Sequence, residues 1–152
     1  MPLCIVQLSA GIFGYSQPQT IDYAENLGTA FQLTNIIRDV GEDARRNRIY
    51  VPLDDLRRFR VEADEILHGH TSDRFMALIR FEIDRARDFY ARAFAALPDE
   101  DRRSQRPGLV MAGIYQALLN DIETEPVDVL TKRASMTPIR KLWIAWRTWL
   151  RA

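Results

Sequence analysis

The sequence predicts an all-α helical bundle. Three observations point there: long segments carry their apolar residues at helical spacing, proline and capping residues fall where helices should begin or end, and no stretch alternates as a strand would. The chain has 152 residues, enough for a core that buries roughly two-thirds of the unfolded surface. An apolar fraction of 47% beside 28% charged residues is that of a globular protein and excludes a disordered tail.

Leu3 to Phe13 is nearly all apolar and small, which suits a buried helix needing partners on every side. It has no preceding element, so the chain is expected to begin inside a domain. Gly14 to Pro18 reads as a turn, and Thr20 is expected to cap a long helix that runs to about Asp43, where Arg45 to Arg48 break its pattern. Pro52 and the following Leu-Asp-Asp-Leu begin a short helical segment. Thr71 or Ser72 opens a helix to Leu97, with Phe75, Ile79, Phe89, Ala93 and Leu97 on its inner side, and Pro98 closes it. Asp99 to Asp101 is expected in a turn. Pro107 suits the first turn of a helix to Glu123, and Thr137-Pro138 supplies an N-cap and N1 proline for the last helix. One helix layer on another gives the bundle.

Basic and acidic residues balance at 21 each, so no global field draws the chain to nucleic acid, and anion recognition must come from local clusters. Arginine is used almost to the exclusion of lysine; guanidinium forks suit phosphate, and a GC-rich genome gives the same bias. A single cysteine, Cys4, cannot form an internal disulfide, and the apolar opening lacks the basic start of a signal peptide, so a cytoplasmic location is expected.

The chemistry concentrates on the long helix. At 100° per residue Gln32, Asn35, Asp39 and Asp43 share an arc of about 80°, bordered by Leu33, Ile36, Ile37 and Val40. An acidic stripe is ordinarily a solvated helix face. Here, however, Asp39 and Asp43 repel one turn apart, and Gly41 between them costs up to about 1 kcal/mol in a helix interior. A helix accepting both costs is expected to gain something, and magnesium, a hard ion taking carboxylate and phosphate oxygens, is the natural ligand. Arg38 precedes the stripe and Arg45, Arg46, Arg48 and Tyr50 follow it, an arrangement that fits a diphosphate held between magnesium and guanidinium forks. A surface salt-bridge cluster is the alternative for Arg45 and Arg46. His68 and His70 flank Gly69 and are read as turn residues rather than catalytic or metal-binding ones; Met76, Met111 and Met136 are read as core.

The run from Gly28 to Asp43 (GTAFQLTNIIRDVGED), continued by Arg48, Ile49, Tyr50, Val51 and Pro52, resembles the second aspartate-rich signature of the squalene and phytoene synthase family. The likeness continues more weakly through Tyr115, Asp121, Asp128, Arg133 and Arg140 to Trp143. It implies the isoprenoid synthase bundle, of which residues 1–152 would be the C-terminal portion. Carried over by position, Asn35 and Asp39 would ligate magnesium with Asp43 in support, and Gln32 would line the cavity. Arg38, Arg48, Tyr50, Tyr115 and, after a one-residue shift, Arg133 would bind or orient diphosphate. Manganese is expected to substitute for magnesium, and NADPH is not expected.

The family also carries a first aspartate-rich motif on an earlier helix, and no such segment lies among these residues. The chain alone is therefore expected to be inactive and to need a complementary N-terminal half. The implied reaction joins two farnesyl diphosphates head to head into presqualene diphosphate, because RDVGEDARR and RKLW most resemble the hopanoid and squalene branch. Phytoene synthesis from geranylgeranyl diphosphate is the close alternative, and a non-catalytic assembly module of the same fold is the reading from another class. The last helix sets Leu142, Trp143, Trp146, Trp149 and Leu150 on one side and Arg140, Arg147 and Arg151 on the other, which suits either a membrane surface, at the inner membrane face, or docking on the bundle.

Overall fold

A computed structural model of the chain describes residues 14–126, 128–132 and 134–151. Among the described residues every regular element is helical. They are α1 (Gln19–Arg45), α2 (Leu53–Phe59), α3 (Ala63–Leu67), α4 (Asp73–Ala96), α5 (Asp99–Arg102), α6 (Arg106–Thr124), α7 (Asp128–Thr131) and α8 (Pro138–Arg151). The apolar segment from Leu3 to Phe13 and the position of Arg133 lie outside the described residues. None of the described helices is long and apolar enough to cross a membrane.

The residues gather into two compact units. One takes the chain up to Gln32, Ala86–Ala117 and the stretch from Met136 onward; the other takes Leu33–Arg85 and Leu118–Ser135. In the first, Tyr23, Leu27, Ala30, Tyr90, Ala93 and Ala112 are buried to within about 1% of their surface. In the second, Ile37, Ile66, Phe75, Leu78, Ile79 and Ile83 form the equivalent core.

Among the buried positions of α1, Tyr23, Leu27, Ala30, Thr34, Ile37, Gly41 and Ala44 step by alternate fours and threes, and Ala24, Leu33 and Val40 widen the buried side beside them, the signature of a helix with one face inward. Its start differs from expectation. The helix begins at Gln19, and Thr20 is not its cap: fully buried, it donates its hydroxyl to Asp101. Asp101 also accepts from the Ser16 amide at 2.8 Å, the Ser16 hydroxyl and the Gln17 amide at 3.1 Å. The acidic run read as a turn is thus the one-turn α5, and its third acid satisfies the orphan donors ahead of α1. Burial would raise the Asp101 carboxyl, but these hydrogen bonds outweigh it and bring it down to about 2.

Ser72 rather than Thr71 opens α4, accepting from the Phe75 amide through its hydroxyl at 3.2 Å. The inner side of α4 carries Tyr90, fully buried, where Phe89 was expected; Phe89 is half-buried. It also carries Glu82, 2% exposed, facing Asp55 of α2. Arg85 ties the pair with Nη1 2.9 Å from Asp55 Oδ2 and 3.8 Å from Glu82 Oε2. Pro107 and Pro138 fall in the first turns of α6 and α8 as read from sequence. Met136 is buried, whereas Met111 is 44% exposed and is not core.

Candidate active site

The stripe sits on the second half of α1, and its part from Asn35 to Asp43 belongs to the second unit, together with Arg48 and Tyr50. Leu33, Ile37 and Val40 are buried beside it, while Asn35, Asp39 and Asp43 are half-buried, so the row does border the core.

Asn35 has a buried side-chain oxygen, Oδ1, with no hydrogen-bond partner among the described residues. Such an atom is rare in a folded interior, and the cost of leaving it unpaired is about 1–3 kcal/mol. Asp39 is neutralised by its sequence neighbour: Arg38 Nε donates to Oδ1 at 2.8 Å and Nη2 to Oδ2, with both side chains about one-fifth exposed. Asp43 has no hydrogen-bond or ion-pair partner for its carboxylate among the described residues. One amide oxygen and two carboxylates at helical spacing are the donors a magnesium ion takes, and the unpaired Asn35 oxygen is the feature that fits such an ion. Among the described residues no three of His, Cys, Asp and Glu gather as a self-sufficient metal cluster, so any ion here would draw its other ligands from water or substrate oxygens.

How α1 ends decides where Arg48 and Tyr50 go. Asn47 adopts a left-handed φ of 58°, its amide donates to the Ala44 carbonyl at 2.8 Å, and the Arg48 amide donates to the Asp43 carbonyl at 2.9 Å. This paired closure is a Schellman motif with asparagine in the position that usually takes glycine. The chain leaves the helix abruptly, and Arg48 and Tyr50, the latter 52% exposed, reach solvent with no side-chain partner among the described residues. Arg46 instead pairs with Glu42 one turn back at 2.7 Å, the exposed surface pair that was the alternative reading. Arg45 donates to the Leu130 carbonyl at 3.2 Å and serves packing.

Gln32 and Tyr115 belong to the first unit. The Tyr115 ring lies 5.0 Å from Phe31, which in turn meets Tyr90 edge-on at 6.1 Å. These three rings form an aromatic group that sequence spacing could not assemble, since they come from three different helices. The second unit also has a cleft of about 260 Å³ lined by Asp121, Glu125, Val129 and Lys132 among others, and none of the predicted site residues that are described lines it.

Comparison with known proteins gives a consistent answer. Residues 3–140 match the squalene/phytoene synthase family. The chain is 41% identical over 126 residues to the 15-cis-phytoene synthase of Synechocystis, covering 83% of this chain and 37% of that one. It is 40% identical over 144 residues to the phytoene synthase of Mycobacterium tuberculosis, covering 93% and 48%. A crystal structure of a dehydrosqualene synthase in complex with ligand superposes with a TM-score of 0.70 at 27% identity, over 84% of this chain and 45% of that one. The chain therefore spans less than half the length of these relatives.

Proposed function

The chain belongs to the squalene/phytoene synthase family, and we propose that the whole protein joins two geranylgeranyl diphosphates head to head toward phytoene. The names of the relatives favour this alternative over the farnesyl diphosphate and presqualene diphosphate reading drawn from RDVGEDARR and RKLW. The observation that carries the assignment of the site is the unpaired buried oxygen of Asn35 in one row with Asp39 and Asp43.

In this reading Asn35, Asp39 and Asp43 hold magnesium, which would draw charge onto the diphosphate leaving group. Arg38 and Asp39 neutralise one another in this structure; Asp39 would serve the cation and Arg38, freed from it, would donate to the diphosphate. The exposed Arg48 guanidinium and Tyr50 hydroxyl supply further donors to the same anion. Tyr115 and Arg133 are assigned to diphosphate and Gln32 to the cavity lining by resemblance. The Phe31 and Tyr115 rings offer π faces of the kind that attract an allylic cation.

The test supplies the whole protein with geranylgeranyl or farnesyl diphosphate in magnesium. Conversion of geranylgeranyl diphosphate to a phytoene product supports the proposal; exclusive use of farnesyl diphosphate restores the presqualene reading, and undiminished turnover in excess chelator removes the metal from it.

A further inference from the structure

Among the described residues helix α8 is attached on one side and exposed on the other. Its Thr148 and Ile144 lie against α6, where a Cβ on Gly113 would come 3.0 Å from Thr148 Oγ1 and 3.4 Å from Ile144 Cγ2. Arg106 of α6 stacks its guanidinium 5.2 Å from the Trp149 ring. The side away from this seam carries Ile139, Leu142, Trp143, Trp146 and Leu150, exposed by 54% to 81%. At 100° per residue these five share an arc of about 100°, roughly opposite Ile144 and Thr148. The helix therefore docks on its bundle and still presents an apolar stripe, so the two readings offered by the sequence are not exclusive.

The chemistry of the stripe's borders identifies what it meets. The helix, PIRKLWIAWRTWLR, has four basic residues and no acid. Arg147 flanks the stripe with its guanidinium 5.3 Å from the Trp143 ring, so charge and ring are presented together. A second copy of the chain packed on this stripe about a two-fold axis would bring like charges together. An anionic lipid surface accepts both features, because indole rings settle at the headgroup level and arginine reaches the phosphates. We propose that α8 is an in-plane anchor that seats the protein on an anionic lipid surface through Ile139, Leu142, Trp143, Trp146 and Leu150. The anchor is independent of the diphosphate chemistry and is read without substrate.

All of the chain's tryptophans lie on this helix, Trp143 and Trp146 on the stripe and Trp149 against Arg106, so intrinsic tryptophan emission of the chain reports on α8. The purified chain is titrated with vesicles of phosphatidylcholine alone or mixed with phosphatidylglycerol, following emission and co-sedimentation. The expected result is a blue shift and co-sedimentation with the anionic vesicles, weaker by about tenfold or more without phosphatidylglycerol or in high salt. The double variant Leu142→Ala/Trp146→Ala should lose about tenfold or more of the binding. Both side chains are exposed, so the fold is kept, which circular dichroism checks; Leu53→Ala, equally exposed on α2, should bind like the parent. Unshifted emission without co-sedimentation overturns the proposal. So does equal binding by the double variant, or a concentration-dependent shift with dimer formation that vesicles leave unchanged, which would give the stripe to a second copy.

Discussion

Gly41 packs against the backbone of Leu130 so closely that no side chain fits between them. A Cβ at position 41 would lie 2.5 Å from the Leu130 carbonyl oxygen, 2.7 Å from its Cα and 2.4 Å from the Val129 carbonyl oxygen. Arg45, one turn further, donates to the same Leu130 carbonyl. The glycine that looked in sequence like a cost accepted for a metal site has a packing cause, and the case for the metal rests on Asn35 instead.

Substituting Gly41→Ala decides between these causes. In an open helix interior alanine would stabilise by about 1 kcal/mol. Here the atoms in the way are backbone and cannot rotate aside, so overpacking of about 1–3 kcal/mol should dominate. Urea unfolding should show net destabilisation; a gain in stability would mean that α1 and α7 do not approach as described.

Local signals were legible and distant pairings were not. Ser72, Pro107 and Pro138 marked helix starts because a cap or a fixed φ acts within one turn. Asp101 accepts from residues 81 to 85 positions earlier, and nothing in its own neighbourhood announces that. Glu82 was missed although a signal existed: it falls on the same stripe as Phe75, Ile79, Ala86 and Tyr90, where an acid cannot be solvated. For the site, the row from Gln32 to Asp43 followed from spacing alone, whereas the unpaired Asn35 oxygen and the Arg38–Asp39 pair needed side-chain positions.

Asp101 should make the fold acid-sensitive. Its carboxyl, ordinarily near 3.8, is held at about 2, so the folded state favours the ionised form. That contribution is complete above the unfolded value and is lost as pH falls through about 4 toward 2. Asp101→Asn should therefore be less stable than the parent at neutral pH, with the difference narrowing across that window. A difference independent of pH would mean that the carboxylate charge is not what Ser16, Gln17 and Thr20 hold.

Glu82 should act in the opposite sense. Burial, with Asp55 beside it, pushes its carboxyl up from 4.5 to about 7 against the pull of Arg85. The folded state then binds the proton more tightly than the unfolded one, so this group's contribution to stability declines as pH rises from about 4.5 to 7. Glu82→Gln, which keeps the shape of the protonated acid, should flatten that decline and leave the fold more stable than the parent at pH 8. Denaturant midpoints at pH 5 and pH 8 check it, and an unchanged pH slope would refute it.

Arg48→Ala and Tyr50→Phe should each weaken diphosphate handling in the whole protein, whereas Arg46→Ala should be mild. Arg46 belongs to an exposed i,i+4 pair with Glu42, worth about 0.3–0.5 kcal/mol, and the other two side chains have no protein partner to lose among the described residues. Steady-state kinetics over a range of prenyl diphosphate concentrations separates binding from turnover. Equal losses from all three would favour the reading of this arginine run as a surface cluster.

Asn35→Leu separates a structural role from a ligand role. A structural amide makes hydrogen bonds, and removing it destabilises the fold; the Asn35 oxygen has none to lose among the described residues. Replacing it with an apolar side chain recovers the cost of an unpaired buried acceptor, about 1 kcal/mol or more, and leucine also favours the helix. The variant should therefore unfold at a urea concentration equal to or above the parent's, while magnesium-dependent turnover by the whole protein falls by about a hundredfold or more, since even the outer-shell partners of a metal cost about 10–100-fold when lost. Loss of stability in step with activity would place Asn35 in the core packing and leave Asp39 and Asp43 as the acids of a solvated helix face.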